Sequence, residues 1–246
     1  MTLKDLKAEL KHQADAQRAK DLQRFFKTDK GDYGEGDVFW GITVPQSRLI
    51  VKQFWRDLNP TELQQLLDSK IHEERFISLL CLIEKYNVSD LTKRKAIYSF
   101  YMYNVEKGRV NNWDLVDLSA PNIVGNMLLE LPEEEREKEM KILYSFAQSD
   151  NLWRKRVAII STLAFIREDK FDDTLNMAEM LMRDSHDLIH KAVGWMLREV
   201  GKRDSLLLEK FLRQGGNYKK MPRTMLRYAI ERFDELTRQR YLAGTV

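Results

Sequence analysis

The sequence predicts an all-α protein built from short amphipathic helices. Two observations support this class: apolar residues recur at intervals of three and four, and only five of the 246 residues are proline. An interval of three or four places apolar side chains on one face of a helix. No stretch alternates apolar and polar residues as a half-buried strand would, so we expect no sheet. The length suffices for one large domain or a continuous repeat array.

Several helix starts can be predicted directly. Residues 43–46 (TVPQ) provide a capping residue, a proline in the first turn and a glutamine at the third position, as in a capping box. Residues 59–62 (NPTE) repeat this pattern. Three glutamates follow Pro132, and acidic side chains suit a helix N-terminus. Ser149 and Asp150 are predicted to cap the helix that contains the segment WRKRVAII.

Four segments resemble one another and predict a repeat. Each begins with a basic residue, continues through mostly apolar residues and ends charged; the segments start at Arg75, Arg156, Lys191 and Arg223. Amphipathic helices in general look alike, but the shared leading base favours a true repeat. Paired helices with a period of roughly 35 to 45 residues are typical of HEAT-like solenoids. We therefore predict an α-α superhelix of HEAT-like repeats, a curved solenoid with a concave basic face, as a single domain over residues 1–246.

Residues 29–41 (DKGDYGEGDVFWG) interrupt the helical pattern with four glycines. No predicted strand precedes them, and their spacing is not that of the GxGxxG nucleotide fingerprint. We predict a mobile loop between the first helices, one that is able to close over a ligand.

Charge is unevenly distributed along the chain. The net charge is +3, but the part from Trp153 onward has 19 basic and 13 acidic residues, whereas the part before it has 22 and 25. This asymmetry favours a basic face that meets a polyanion such as DNA, and the alternative is a solvated helix surface. The cations predicted to contact DNA are Arg154, Lys155, Lys191, Arg198, Lys202, Lys219, Lys220 and Arg223.

Other classes of site have little support. Cys81 is the only cysteine, so no disulfide is possible, and its apolar surroundings predict a buried small hydrophobe. His186 and His190 lack both the glutamate of an HExxH motif and a third ligand, so we predict a surface pair without a metal. No segment approaches the roughly 20 apolar residues of a membrane span. These features predict a cytoplasmic protein.

Trp113 and Asp117 carry the strongest chemical signal. They are four residues apart in the segment NNWDLVD, and positions i and i+4 share one face of a helix. A tryptophan face attracts cations by roughly 0.5 to 2 kcal/mol, and an alkylated purine is such a cation. Its ring needs no protonation to leave, so one carboxylate suffices where glycosidic hydrolysis normally uses two. The alternatives are core packing for Trp113 and a helix cap or salt bridge for Asp117.

Arg156 and Trp195 are further candidates. Three cations near a helix start are unusual because the helix dipole prefers acids there. Binding of an external anion, such as a phosphate, would offset that cost; the alternative is a solvated cluster. Gly194 is predicted to remove bulk at a helix surface beside Trp195, for which core packing is the alternative.

The segments NNWDLVDLSAPNIVG, SDNLWRKRVAII and HKAVGWMLREVGKRD resemble the AlkD family of DNA alkylation repair proteins, which are HEAT-like-repeat alkylpurine DNA glycosylases. The resemblance covers about residues 20 to 235. It implies metal-independent, monofunctional excision of 3-methyladenine and 7-methylguanine from duplex DNA, with the lesion largely stacked. It also implies that Asp117 is the catalytic aspartate, that Trp113 and Trp195 lie beside the lesion, and that Arg156 binds the DNA backbone.

Two features depart from the family. Phe25 stands where some active members have a tyrosine, so a hydroxyl contact would be missing. The glycine-rich insert resembles that of a second branch. The expected partner is double-stranded DNA with alkylated bases, bound by a monomer without a cofactor. The alternatives are a non-catalytic HEAT-repeat protein that binds bent or branched DNA and a protein-binding scaffold.

Overall fold

The computed structural model describes residues 2–246, and most of them are helical. Within these residues no strand forms; the nearest approach is a single bridge between Val38 and Ile71. The predicted all-α class is therefore confirmed. None of the described helices combines the length and the apolar character needed to cross a membrane.

The chain divides into two compact units at Ser119–Ala120. The first unit contains α1 (Leu3–His12), α2 (Ala16–Phe25), α3 (Val44–Phe54), α4 (Pro60–Leu67), α5 (His72–Val88), α6 (Leu91–Glu106) and α7 (Trp113–Ala120). Its centre is α5, which packs against α3, α4 and α6. Every residue of α5 from position 72 to position 83 is buried. A helix covered on all sides has no face left for unpaired charges.

The second unit begins with a π-helical turn (Pro121–Gly125). It continues with α8 (Asn126–Glu130), α9 (Glu133–Ala147), α10 (Leu152–Ser161), α11 (Leu163–Arg167), α12 (Asp172–Leu181), α13 (Asp187–Arg203), α14 (Ser205–Arg213), α15 (Asn217–Lys220), α16 (Arg223–Ala229) and α17 (Glu235–Ala243). Three of the repeat segments correspond to α10, α13 and α16, and α13 packs against both others. Successive packing of this kind is expected of helical repeats. A single continuous domain over residues 1–246 stays a prediction.

The predicted capping boxes are present. The Thr43 side chain accepts from the N–H of Gln46, whose own side chain accepts from the Thr43 N–H at 2.9 Å. Asn59 and Glu62 form the same reciprocal pair at the start of α4. After Pro132, α9 begins with three glutamates and without a side-chain cap. Each start lies where the local signal predicts it.

The predicted cap of α10 is wrong. Asn151, rather than Ser149 or Asp150, occupies the capping position, and its side chain accepts from the N–H groups of Trp153 and Arg154. Asparagine is as good a cap as aspartate or serine. All three adjacent residues could therefore cap α10, and the point at which its first turn begins selects Asn151.

Residues 29–41 connect α2 to α3, as predicted, but their second half is tied to the first unit. The buried carboxylate of Glu73 accepts from the backbone N–H groups of residues 40–42 at 2.8 to 3.2 Å. Asp37 and Phe39 are buried as well. A segment held by its backbone and by buried side chains cannot swing freely, so the predicted mobile loop is wrong for this half.

Cys81 is fully buried in α5. Burial raises the pKa of its thiol to about 12, although Lys85 acts in the opposite direction. A thiol that stays protonated is a poor nucleophile. The prediction that Cys81 is a buried small hydrophobe is confirmed.

Gly194 lies inside the packing of α13 against α16, so the helix surface at which it removes bulk is covered by a neighbouring helix. An added methyl group would lie 2.5 Å from Cβ of Tyr228 and 2.6 Å from the carbonyl oxygen of Met225. Both atoms belong to the α16 framework and cannot move without the helix. We expect Gly194→Ala to lower the free energy of unfolding by about 1 to 3 kcal/mol, measured by guanidinium unfolding monitored by circular dichroism.

Gly201→Ala is the matched control on the same helix. The three atoms nearest to its added methyl group all belong to the side chain of Leu208, and the closest is a terminal methyl, which a change of rotamer can move. Alanine in a helix is favoured over glycine by up to about 1 kcal/mol. Gly201→Ala should therefore be as stable as the wild type or more so. Equal stability of both variants would contradict the close packing at Gly194.

Candidate active site

Trp113 and Asp117 lie one turn apart on α7 in the first unit. Both side chains are partly exposed, whereas Leu115 and Val116 between them are fully buried. Helix α7 therefore turns its apolar residues into the core and leaves Trp113 and Asp117 on its outer face. Trp113 is not a fully buried core tryptophan.

Two phenylalanines at the end of α2 pack on Trp113. The ring of Phe26 stacks on the indole, with centroids 5.0 Å apart and 7° between the planes. Phe25 meets the indole edge-on, with centroids 5.9 Å apart and an angle of 78°. Phe25 nevertheless remains 64% exposed. Together Trp113 and Phe25 form an exposed aromatic surface one turn from Asp117.

On the side of α7 that faces the core, two buried hydroxyl groups contact each other. The Tyr101 hydroxyl lies 2.9 Å from Oγ of Ser119, which donates to the carbonyl of Leu115. Burial raises the pKa of Tyr101, and the nearby charge of Asp117 acts in the same direction. Tyr101 therefore remains neutral and adds no charge on the buried side of α7.

Asp114 is not a free carboxylate. Its Oδ2 accepts from Nε2 of His72 at 2.7 Å, and its Oδ1 accepts from the N–H of Leu115 at 2.8 Å. His72 is only 3% exposed, and its Nδ1 lies 3.0 Å from Oδ2 of Asp37. The imidazole thus bridges two carboxylates, one from the glycine-rich segment and one from α7.

Asp37 ties several groups to the start of α7. Besides His72, it accepts from Nδ2 of Asn112 at 3.1 Å and from the guanidinium of Arg75. Oδ1 of Asn112 in turn accepts from the N–H of Trp113 at 2.8 Å. Burial acts to raise the pKa of Asp37, but His72 and Arg75 lower it below its usual value. The carboxylate therefore stays ionised inside the unit.

The sequence interpretation missed the first turn of α5. His72, Glu73, Glu74 and Arg75 are all buried, and each is paired; Glu74 accepts from Lys7 of α1 at 3.1 Å. The sequence feature that predicts these buried charges is the segment HEER, which lies directly before the apolar run FISLLCLI. A helix that is apolar on all sides predicts that charges in its first turn are buried and require partners.

In the second unit, Arg156 lies on α10 and is only 4% exposed. Its Nη1 donates to the carbonyl of Leu188 in the first turn of α13. The alternative of a solvated cluster is therefore wrong for this residue. Helices α10 and α13 are neighbours in this unit, and Arg156 links them.

The two cations before Arg156 also have partners inside the unit. Lys155 forms an ion pair with Asp184, and both side chains are largely buried. The guanidinium of Arg154 lies 5.7 Å from the ring centroid of Phe146. Each of the three cations thus has a partner within the unit, so an external anion is not required to explain their presence at this helix start.

Trp195 lies on α13 and is partly exposed. Its indole N–H donates to Glu199 at 3.1 Å, one turn later on the same helix. Trp195 lines a cavity of about 280 Å³ together with Leu163, Ile166, Arg167, Glu199, Lys202 and Arg203. Arg167 and Arg203 were not among the predicted site residues, because nothing in their local sequence places them beside Trp195.

Most of the other predicted cations have a partner in the second unit. Lys191 pairs with Asp187, Arg198 with Glu231 and Lys202 with Glu199; Lys219 lies over the Tyr218 ring, Arg223 donates to the carbonyl of Leu242, and Lys220 is exposed. Exposed ion pairs contribute about 0 to 1 kcal/mol each. Such pairs can exchange a carboxylate for a phosphate at low cost. Contact of these residues with DNA stays a prediction.

His186 and His190 have local roles at the start of α13. Nδ1 of His186 accepts from the N–H of Leu188 at 3.1 Å as the helix cap. The ring of His190 lies 2.6 Å from the carbonyl of Asp184. Over residues 2–246, no three His, Cys, Asp or Glu side chains form a group that could hold a metal ion.

The four predicted site residues divide between the units. Trp113 and Asp117 share α7 in the first unit, and Arg156 and Trp195 lie on neighbouring helices of the second. Their assembly into one site stays a prediction.

The fold and the α7 face define an all-helical repeat protein with an exposed aromatic surface next to a carboxylate. The family model described as DNA alkylation repair enzyme matches residues 6–233. The chain therefore belongs to this family, and the predicted recognition is confirmed.

One solved structure supports the fold. It is described as a predicted DNA alkylation repair enzyme from Enterococcus faecalis, and it shares 17% sequence identity with this chain at a TM-score of 0.67. The match covers 91% of this chain and 98% of the other. No curated protein matches the chain.

Proposed function

We propose that this protein is a DNA glycosylase that hydrolyses the N-glycosidic bond of positively charged alkylated purines, 3-methyladenine and 7-methylguanine, in double-stranded DNA. The outer face of α7 carries the proposal, because it presents Asp117 one turn from the exposed aromatic surface of Trp113 and Phe25. Membership in the DNA alkylation repair enzyme family supports this class of reaction.

The charge of the substrate limits what the protein must supply. When the bond between C1′ and the purine nitrogen breaks, its electron pair neutralises the ring, and the sugar becomes an oxocarbenium-like cation. Asp117 stabilises this cation or orients the water that attacks C1′. An uncharged base would need a second carboxyl group to protonate it. Asp114 is held by His72 and is not free for that task, so the site suits bases that are already charged.

The remaining side chains hold the substrate. The indole of Trp113 attracts a cationic ring by roughly 0.5 to 2 kcal/mol, and Phe25 extends the surface without the hydroxyl that some relatives have. Trp195 would contact the DNA backbone beside the lesion, and Arg156 would exchange its bond to the Leu188 carbonyl for a phosphate there. The cations of the second unit would bind phosphates elsewhere. We propose further that the protein acts as a monomer in the cytoplasm.

Incubation with methylated duplex DNA tests the proposal. We expect release of 7-methylguanine and 3-methyladenine, identified by chromatography and mass spectrometry. EDTA should leave the rate unchanged, because a charged purine leaves without a Lewis acid. Salt-sensitive DNA binding without release of any base would instead support the non-catalytic binder of bent or branched DNA. Absence of DNA binding at moderate salt would support a protein-binding scaffold.

A further inference from the structure

We propose that His72 is a positioning residue of the active site: clamped between Asp37 and Asp114, its imidazolium holds the start of α7 and thereby orients Trp113 and Asp117. The inference rests on the proposed function, since the residues positioned are those of the glycosylase site. His72 itself is only 3% exposed, so it acts through the residues that it holds.

Two chains of hydrogen bonds lead from His72 to the first turn of α7. The direct one runs from Nε2 to Asp114 at 2.7 Å. The second runs from Nδ1 to Asp37 at 3.0 Å, from Asp37 to Asn112 at 3.1 Å, and from Asn112 to the N–H of Trp113 at 2.8 Å. Both ring nitrogens must donate to serve both carboxylates, which requires the charged imidazolium.

A stack of rings forms a second connection to Trp113. The His72 ring lies on Phe39, with centroids 4.5 Å apart and 22° between the planes. Phe26 contacts both of these rings, at 5.0 Å from His72 and 4.9 Å from Phe39. Phe26 in turn stacks on Trp113 at 5.0 Å. The position of the imidazole is thus transmitted to the indole by packing as well as by hydrogen bonds.

The charges around His72 favour its protonated form. Asp37 faces it from the glycine-rich segment, Asp114 from α7, and Arg75 from its own helix at 3.5 Å from Nδ1. Arg18 of α2 and Glu73 line the cavity of about 130 Å³ that also contacts His72. Burial lowers the pKa of His72 and Arg75 acts in the same direction, but Asp114 and Asp37 raise it to about 9.

Loss of the proton would release one end of the clamp. The neutral imidazole keeps a single N–H and can donate to only one of the two carboxylates, so either Asp37 or Asp114 loses its hydrogen bond from His72. The clamp is complete at neutral pH and loosens as the pH rises through about 9. Below that pH His72 stays protonated, and both of its hydrogen bonds, to Asp37 and to Asp114, are present.

Nuclear magnetic resonance tests the coupling without any catalysis. The chain has four histidines and five tryptophans, so single substitutions can assign the imidazole and indole signals. Between pH 7 and pH 10.5 we expect the Trp113 indole signal to shift with the same midpoint as the His72 imidazole. His72→Gln should abolish this shift, and His12→Gln, at an exposed position of α1, should preserve it. A Trp113 signal that ignores the titration of His72 would overturn the proposal.

Single-turnover excision at neutral pH provides the second readout. His72→Gln should reduce the rate of base release by up to about 100-fold, as expected for small misplacements of reacting groups, with DNA affinity near that of the wild type. An unchanged rate would overturn the positioning role. If His72→Gln does not fold, Asp114→Asn replaces it, because it loosens the same clamp and keeps the imidazole. If the wild-type protein releases no base, the proposed function fails, and the indole titration still decides whether His72 positions α7.

Discussion

Asp117→Asn is expected to abolish release of 7-methylguanine from alkylated duplex DNA while leaving DNA affinity close to that of the wild type. Asparagine has nearly the same shape as aspartate but lacks its charge. The variant therefore keeps the outer face of α7 and loses the electrostatic stabilisation of the sugar cation. Removal of one such stabilising group typically costs about 100- to 1,000-fold in rate. Single-turnover excision and fluorescence anisotropy measure the two quantities separately.

Asp21→Asn is the matched control for Asp117→Asn. Asp21 is an exposed carboxylate on α2 of the same unit, and its closest cation, Arg24, is 3.6 Å away. The control changes the net charge of the first unit by the same amount at another position, and we expect normal excision. Full activity of Asp117→Asn would show that the catalytic assignment is wrong. Equal losses in both variants would point to a general charge effect.

Raising the pH through 9 is expected to remove up to about 3 kcal/mol of stability through His72. Its pKa is raised from 6.5 to about 9 in the folded protein, and each pKa unit corresponds to about 1.4 kcal/mol. Because the folded pKa is the higher one, the stabilisation is fully present below pH 6.5. It declines between pH 6.5 and pH 9 and is absent above that range. Guanidinium unfolding at pH 6, 7.5 and 9.5 measures this decline.

Other groups also titrate in this range, so the difference between variants isolates His72. His72→Gln should be markedly less stable than the wild type at pH 6, since it leaves Asp114 without its charged partner and the buried Asp37 with Arg75 alone. The gap should narrow by about 3 kcal/mol at pH 9.5. His12→Gln should remain parallel to the wild type at each pH. A constant gap between wild type and His72→Gln would mean that His72 is not held charged.

Local spacing predicted much of this molecule correctly. The intervals of three and four predicted the helices because a buried helix face is a property of neighbouring residues. The capping boxes at Thr43 and Asn59 span only three residues, and both are present. Trp113 and Asp117 are four residues apart, so their common helix face followed as soon as α7 was predicted.

Long-range partners account for what the sequence did not predict. His72 binds carboxylates that are 35 and 42 residues away. The glycines of the loop that contains Asp37 predicted a mobile segment. The residue that fixes this loop, Glu73, is 32 residues away from Gly41 in the sequence, so local spacing does not reveal it. Position 194 requires a glycine because α16 packs closely against it, and no neighbouring residue in the sequence indicates this contact.

By itself the sequence determined the helical class, the resemblance to the DNA alkylation repair family and the pairing of Trp113 with Asp117, since each depends on residues close together in the chain. Only the tertiary structure decided that Asp114 is bound rather than free and that a buried histidine clamps the start of α7. A charge buried by folding must find its partner wherever the fold brings one. In this unit the partners come from the glycine-rich segment and from α7, both distant from His72 in sequence.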